Sequence, residues 1–384
     1  MTGTRLKIAF LTSTNVRDKH AWSGIHYYMA RALERNVGEV NCLGPVDLKF
    51  HIHKGRVLSF LSQKLVDKRF DYTHSFSVAK EYAKVFSEKL KNKKYDLIFA
   101  PASSSEIAFL ETKIPIVYLS DTTFANMVDY YPAYSKLTKK SLLQGHEIER
   151  RAITNAKFAL YPSEWAANSA LKDYNADKSK VHVIPMGANI DEPPPCEKVL
   201  KKIKTGKCCL LFLGVNWERK GGEVAFDCMV KMNDMGIETL LTVCGCIPPK
   251  KFSHTKMKVI PFINKNDKEQ YKQFENLLLN SDFLILPTKA ECYGIVFCEA
   301  SAYGLPSIVN DTGGVSGAVT NGKNGFLLPS NSTGNDYAKL IADVFRNDEK
   351  YDSLVKSSRN IFEMKLNWDA WAKKVKNLLL VIQK

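Results

Sequence analysis

Two glutamates and a pair of cations mark where this chain could do chemistry. Glu291 and Glu299 stand eight positions apart within DFLILPTKAECYGIVFCEASAYGLPSIVNDTGGVSG, residues 282–317. Upstream, Arg219 and Lys220 close the loop GVNWERK, just ahead of Gly221-Gly222. Carboxylates beside a phosphate site suit neutral hydroxyls, such as those of a ribose or a hexose. Cations suit the phosphate itself. A diphosphate gains negative charge as its bond to a sugar breaks, and two cations beside it stabilise that charge. Each residue also has an ordinary reading: Glu299 as a solvated helix residue, Glu291 as a loop charge, Arg219 and Lys220 as an exposed pair. A shared strand–loop–helix context favours the chemical reading.

The elements that must hold these groups are legible. Asp282–Pro287 is a short apolar run ending at proline, which predicts a buried parallel strand. A polar loop, Thr288 to Tyr293, leads into a predicted helix, Gly294–Tyr303, and then a strand, Ser307–Asn310. The amides of Gly294, Ile295 and Val296 open that helix without intrahelical partners. A phosphate there would satisfy them and meet the positive end of the helix dipole. Cys208–Leu213 predicts another strand, followed by the basic loop and a helix through Lys231. The chain begins in the same way, with strand Leu6–Ser13, a loop bearing Ser23-Gly24, and helix Gly24–Arg35. Strand Ile114–Leu119 delivers Asp121 to a strand's carboxyl end, where ligands bind in such sheets. Asp121 reads either as a sugar or acceptor contact or as a helix cap. Strand Val259–Phe262 ends at Phe262, which either stacks or packs. Residues 48–92 read as less regular, with helical patches, and two helices, Asp336–Arg346 and Trp368–Ile382, close the chain.

The spacing Glu291-x7-Glu299, followed by ASAYGLPSIVNDTGG, resembles the retaining glycosyltransferases of family 4, which have the GT-B fold. The resemblance implies an α/β protein of two Rossmann-like domains facing across a cleft. Residues 1–188 would form the acceptor domain and 189–365 the nucleotide-sugar domain. The run HVIPMGANID, residues 182–191, resembles the family's crossover. The terminal helix, about 366–384, would pack back onto the first domain. By the same resemblance Glu291 contacts the transferred sugar and Glu299 the nucleotide ribose. The backbone of Tyr293, Gly294, Ile295 and Val296 holds the diphosphate, with Gly214 and Asn216 also on the donor side. Lys220 matches one of two cation positions. Val215 occupies the other, so Arg219 is the substitute. Where the family has two glycines facing the diphosphate, Trp22-Ser23-Gly24 stands, leaving Ser23 and Gly24 as the donor contact. Asp121 lies where the family commonly has a histidine. Phe262 falls where the family cradles the nucleobase.

The implied reaction moves a hexose, with retention and without a metal, from a nucleotide-diphosphate sugar to a glycan, lipid-linked or small-molecule acceptor. No cofactor is implied beyond that donor. Two other readings stay open: a GT-B nucleotide-sugar epimerase or phosphorylase, and a non-enzymatic basic binding module.

Composition sets the outer bounds. The 384 residues exceed one ordinary core, so two domains are expected. No apolar window nears the ~20 residues of a membrane span. The nine cysteines lack CxxC spacing, and Cys208, Cys209 and Cys244 fall in apolar strand-like runs, which predicts reduced, buried thiols there and no metal site, as in a cytoplasmic protein. The net charge is +15. Residues 1–190 hold 28 basic against 18 acidic side chains, so the surplus is concentrated there. Basic clusters at Lys89–Lys94, Lys136–Lys140 and Arg150-Arg151 suggest a peripheral attraction to an anionic membrane face. Nucleic acid is disfavoured, because no motif for it accompanies the charge.

Overall fold

The computed structural model describes residues 5–201 and 206–380. Its described strands form two six-stranded sheets, every pairing parallel. The first holds β1 (Leu6–Phe10), β2 (Gly38–Cys42), β3 (Leu97–Pro101), β4 (Ile116–Leu119), β5 (Phe158–Tyr161) and β6 (Val181–Val183), in the order 2-1-3-4-5-6. The second holds β7 (Cys208–Leu213), β8 (Thr239–Cys244), β9 (Met257–Ile260), β10 (Phe283–Leu286), β11 (Ser307–Asn310) and β12 (Gly325–Leu328), in the order 12-11-10-7-8-9. Central strands such as β3, β4 and β10 are buried at every residue. Helices cover both faces of a parallel sheet, which is why these strands read as unbroken apolar runs rather than alternating ones.

The chain divides into two compact units, one of Met1–Ile184 with Ala372–Lys384, the other Pro185–Trp371. Each sheet has one point where the strand order reverses. In the second sheet it lies between β7 and β10, so the loops following those strands leave from neighbouring ends. In the first it lies between β1 and β3. Such switch points open a crevice at the carboxyl edge of an open sheet.

Three segments differ from expectation. Residues 48–92 are not irregular: they carry two full helices, Lys49–Val66 and Phe76–Leu90, the second capped by Ser75. A helix not anticipated, Asp348–Met364, lies between the two expected at the C-terminus. The strand expected to end at Phe262 is β9 and stops at Ile260, leaving Phe262 beyond it and 59% exposed. The last helix is observed as Trp368–Leu379, and the expectation for residues past 380 lies outside the described residues. All nine cysteines are free thiols, with Cys208 and Cys244 buried. No described helix is long and apolar enough to cross a membrane.

Candidate functional site

In the second unit, the loops after β7 and β10 meet at the switch point. Lys220 ion-pairs with Glu291, and both side chains are largely buried. Lys220 reaches its partner by crossing close over Gly214: a Cβ on Gly214 would lie 2.9 Å from Lys220 Cγ. Asn216 folds the loop back, its Oδ1 accepting from the Arg219 amide at 2.8 Å and its carbonyl from the Lys220 amide at 3.0 Å. Arg219 donates through Nη1 to the Ala290 carbonyl at 2.8 Å, while its own carbonyl accepts from the Lys289 amide at 2.8 Å. Arg219 therefore braces the Glu291 loop as well as adding charge to it.

Glu291 leads directly into the helix Ile295–Ala302, entered through Gly294. Gly294 has φ +87°, a left-handed conformation that disfavours any residue with a side chain. A Cβ there would also meet the Phe297 ring at 2.2 Å. That sharp entry turns the opening amides of Gly294, Ile295 and Val296 out of the helix end. Inside the same helix Glu299 is only 2% exposed and accepts from Lys265 Nζ at 2.8 Å. Burial raises its carboxyl pKa, and Lys265 only partly opposes this. Lys265 was not anticipated from sequence. It lies on the loop after β9, 34 positions from Glu299, and no local pattern links the two. The Tyr293 ring is buried and its hydroxyl donates to the Met186 carbonyl at 3.0 Å, which leaves the residue's backbone, the part assigned to the donor, at the helix entry.

In the first unit, the loop after β1 carries Ser23 and Gly24, and Asp121 lies past the end of β4. Trp22, Ser23 and Gly24 have φ of 46°, 56° and 86°. Three successive left-handed residues, two with side chains, store local strain of about 1–2 kcal/mol per non-glycine residue. Trp22 Nε1 donates to Asp121 Oδ2 at 3.3 Å, fastening this loop to β4's carboxyl end. Asp121 is not the helix cap: Thr123 fills that place, accepting from the Asn126 amide. His26, unremarked in the sequence, sits beneath Trp22 with ring centroids 5.0 Å apart. Burial pulls its pKa down to about 4, against a hydrogen bond to the Pro101 carbonyl, so it is neutral at pH 7.

A cavity of ≈ 390 Å³ opens on the same carboxyl edge. Its lining includes Ser120, Asp121, His74, Glu106, Tyr118 and Glu149, and none of the described lining residues is lysine or arginine. His74 Nδ1 lies 2.7 Å from Asp71 Oδ2. Burial opposes both charges, but their hydrogen bond and mutual attraction win, raising His74 and lowering Asp71 to about 2. Burial pushes Glu149 up to about 7, although Tyr118 donates to it at 3.0 Å. Burial also raises Glu106. Among the described residues no three His, Cys, Asp or Glu side chains converge as a metal site.

Residues 198–361 match the family model described as Glycosyl transferases group 1, and residues 27–192 match Glycosyltransferase Family 4. The chain belongs to the GT-B glycosyltransferases of family 4. The chain is 22% identical over 276 residues to a D-inositol 3-phosphate glycosyltransferase of Arthrobacter sp., covering 66% of this chain and 62% of the relative. The chain spans between 41% and 62% of the length of the first curated relatives it matches. Two solved structures share the fold over nearly the whole chain. Sucrose-phosphate synthase from Thermosynechococcus elongatus is 15% identical, covers 99% of each chain and superposes with TM-score 0.67. An Anabaena protein in complex with UDP and glucose is 14% identical, covers 98% of this chain and 99% of its own, and reaches TM-score 0.62. The two family models meet near the boundary between the compact units, one covering β2 to β6 and the other β7 to β12.

Proposed function

We propose that this protein is a retaining hexosyltransferase that uses a nucleotide-diphosphate sugar and needs no metal. One observation carries the reading. Lys220, Arg219, Glu291 and the amino end of Ile295–Ala302 converge at the switch point of one sheet. Cations and free amides together fit a diphosphate, and the adjoining carboxylate fits the hydroxyls of the sugar it carries. The Anabaena neighbour's complex with UDP and glucose supports a donor of this class. In the reaction an acceptor hydroxyl forms a bond to the anomeric carbon as the bond to the diphosphate breaks. The hydroxyl proton passes to the departing phosphate oxygen on the same face, which preserves configuration. Lys220, Arg219 and the helix amides take up the developing negative charge. Glu299, held by Lys265, meets the ribose.

The acceptor hydroxyl belongs, in this reading, in the cavity beside Asp121. Its carboxylates suit neutral hydroxyls or a cation. A phosphorylated acceptor would meet the Asp121, Glu106 and Glu149 carboxyls, while the described lining holds no lysine or arginine and its one favoured cation, His74, is already paired with Asp71. Phosphate-free polyols are therefore the expected acceptors.

Incubating the protein with UDP-, GDP- and ADP-sugars and a panel of polyols tests this. Free nucleotide with an equal amount of glycoside is the expected product. An isomerised nucleotide sugar would make the protein an epimerase, and no turnover of any donor would leave only a binding role. Lys220→Ala and Glu291→Ala should each lower kcat/KM by roughly 10²–10³-fold, the scale for losing one transition-state contact. Full activity in both variants would refute the site.

A further inference from the structure

The helix Lys49–Val66 presents its apolar side chains to solvent. Gly55 is its one buried residue, pressed so close to Tyr72 that a Cβ would lie 2.3 Å from the tyrosine Cβ. His51, Ile52, Ser59 and Ser62 are half-buried on the same side. At 100° per residue, Phe50, Val57 and Leu61 fall on the opposite side, Phe60 and Leu65 flank them, and Leu58 and Val66 lie toward the Gly55 side. Phe50 is 75% exposed and Leu65 79%. Of the 15 large hydrophobic residues exposed among the described residues, seven lie on this helix, so the exposure is a property of the element rather than scatter.

Its charges point to what covers it. The helix holds Lys49, Lys54, Arg56 and Lys64 and no acidic residue; Asp47 and Asp67 flank it, and Lys68 and Arg69 follow. Lys54 and Lys64 rise from within the apolar face. Lys64 Nζ lies 4.8 Å from the Phe60 ring centroid, its stem lying along apolar surface. A second copy of this face would set cations against cations. An anionic lipid surface satisfies both features at once: the apolar side chains enter below the headgroups while the ammonium and guanidinium groups stay at phosphate level. No described helix is apolar enough to span a bilayer, so the fit is to a helix lying in the interface.

We propose that Lys49–Val66 is an interfacial helix that docks this protein on an anionic lipid surface. The inference is independent of the transfer reaction, because none of these exposed side chains belongs to the donor site or the cavity.

Co-sedimentation of the full chain with vesicles tests it. Vesicles of equal parts phosphatidylcholine and phosphatidylglycerol should carry the protein down at least ~10-fold more strongly than phosphatidylcholine alone. Added salt should weaken that binding. The triple substitution Phe50→Ser, Leu61→Ser and Leu65→Ser should lose at least ~10-fold of it with an unchanged unfolding temperature. Lys54→Glu with Lys64→Glu, which leaves the apolar residues in place, should lose a similar factor. Three results would overturn the proposal: wild-type protein that ignores anionic vesicles, a triple variant that binds them undiminished, or a wild-type dimer that the triple variant turns into a monomer.

Discussion

At the scale of residues, the site is a set of charges whose partners decide their availability. Burial raises the Glu299 carboxyl pKa, and Lys265 both opposes that rise and fixes the side chain's direction. Lys265→Met should therefore weaken donor binding by roughly tenfold, as Glu299→Ala does, while kcat changes little. Isothermal titration with the nucleotide diphosphate reads the first effect and steady-state kinetics the second. A donor affinity unchanged in either variant would remove the ribose role. In the cavity, Glu149 gives a pH test. Its folded pKa of about 7 lies above the value in the unfolded chain, so the native state holds the proton more tightly. The stability this contributes is complete below the unfolded pKa and is lost as pH rises through about 7. Tyr118 and the His74 charge face the group and oppose the shift, while burial dominates it. Glu149→Gln removes the titration. Its stability relative to wild type should climb by up to roughly 3 kcal/mol between pH 4.5 and pH 8, measured by urea unfolding. A constant difference across that range would show that Glu149 is not buried in this way.

At the scale of elements, the amino end of Ile295–Ala302 is the part least able to absorb change. Gly294→Ala forces a side chain into a left-handed conformation and against the Phe297 ring. A loss of about 1–3 kcal/mol is expected, together with weaker nucleotide binding because the amides are turned away. Differential scanning calorimetry with and without nucleotide separates the two. How far the sequence revealed these elements depended on where their apolar residues end up. Cys208–Leu213 and Phe283–Leu286 were legible because burial on both faces leaves an unbroken apolar run. The joining of Lys220 to Glu291 could be anticipated only as two loops of one sheet. Their contact depends on strand order, because β7 and β10 become neighbours through a crossover that no local window contains. Asp348–Met364 was missed because Tyr351, Leu354, Val355 and Phe362 are thinly spread among charges. Lys49–Val66 was read as irregular for the opposite reason: its apolar residues serve no core, and Lys54, Arg56 and Lys64 interrupt them.

At the scale of the whole molecule, the proposed reaction draws on two units with separate sheets. Lys220, Glu291 and Glu299, the residues proposed for the donor, lie in the unit Pro185–Trp371, and the cavity lies in the other. A nucleotide diphosphate bound only by the native protein should raise unfolding free energy by about 2.7 kcal/mol at a hundredfold excess over Kd. Lys220→Ala should abolish most of that gain, and a thermal-shift series with UDP, GDP and ADP would identify the base. A full gain retained by the variant would place the diphosphate elsewhere. The narrow passage where Lys220 crosses Gly214 adds a hazard for anyone mapping this protein by random mutagenesis. An alanine at 214 contributes no reactive group and removes none, yet it deflects the lysine stem. It would surface among inactive clones as though it were catalytic, and only a structure of that clone would show the ammonium displaced rather than missing.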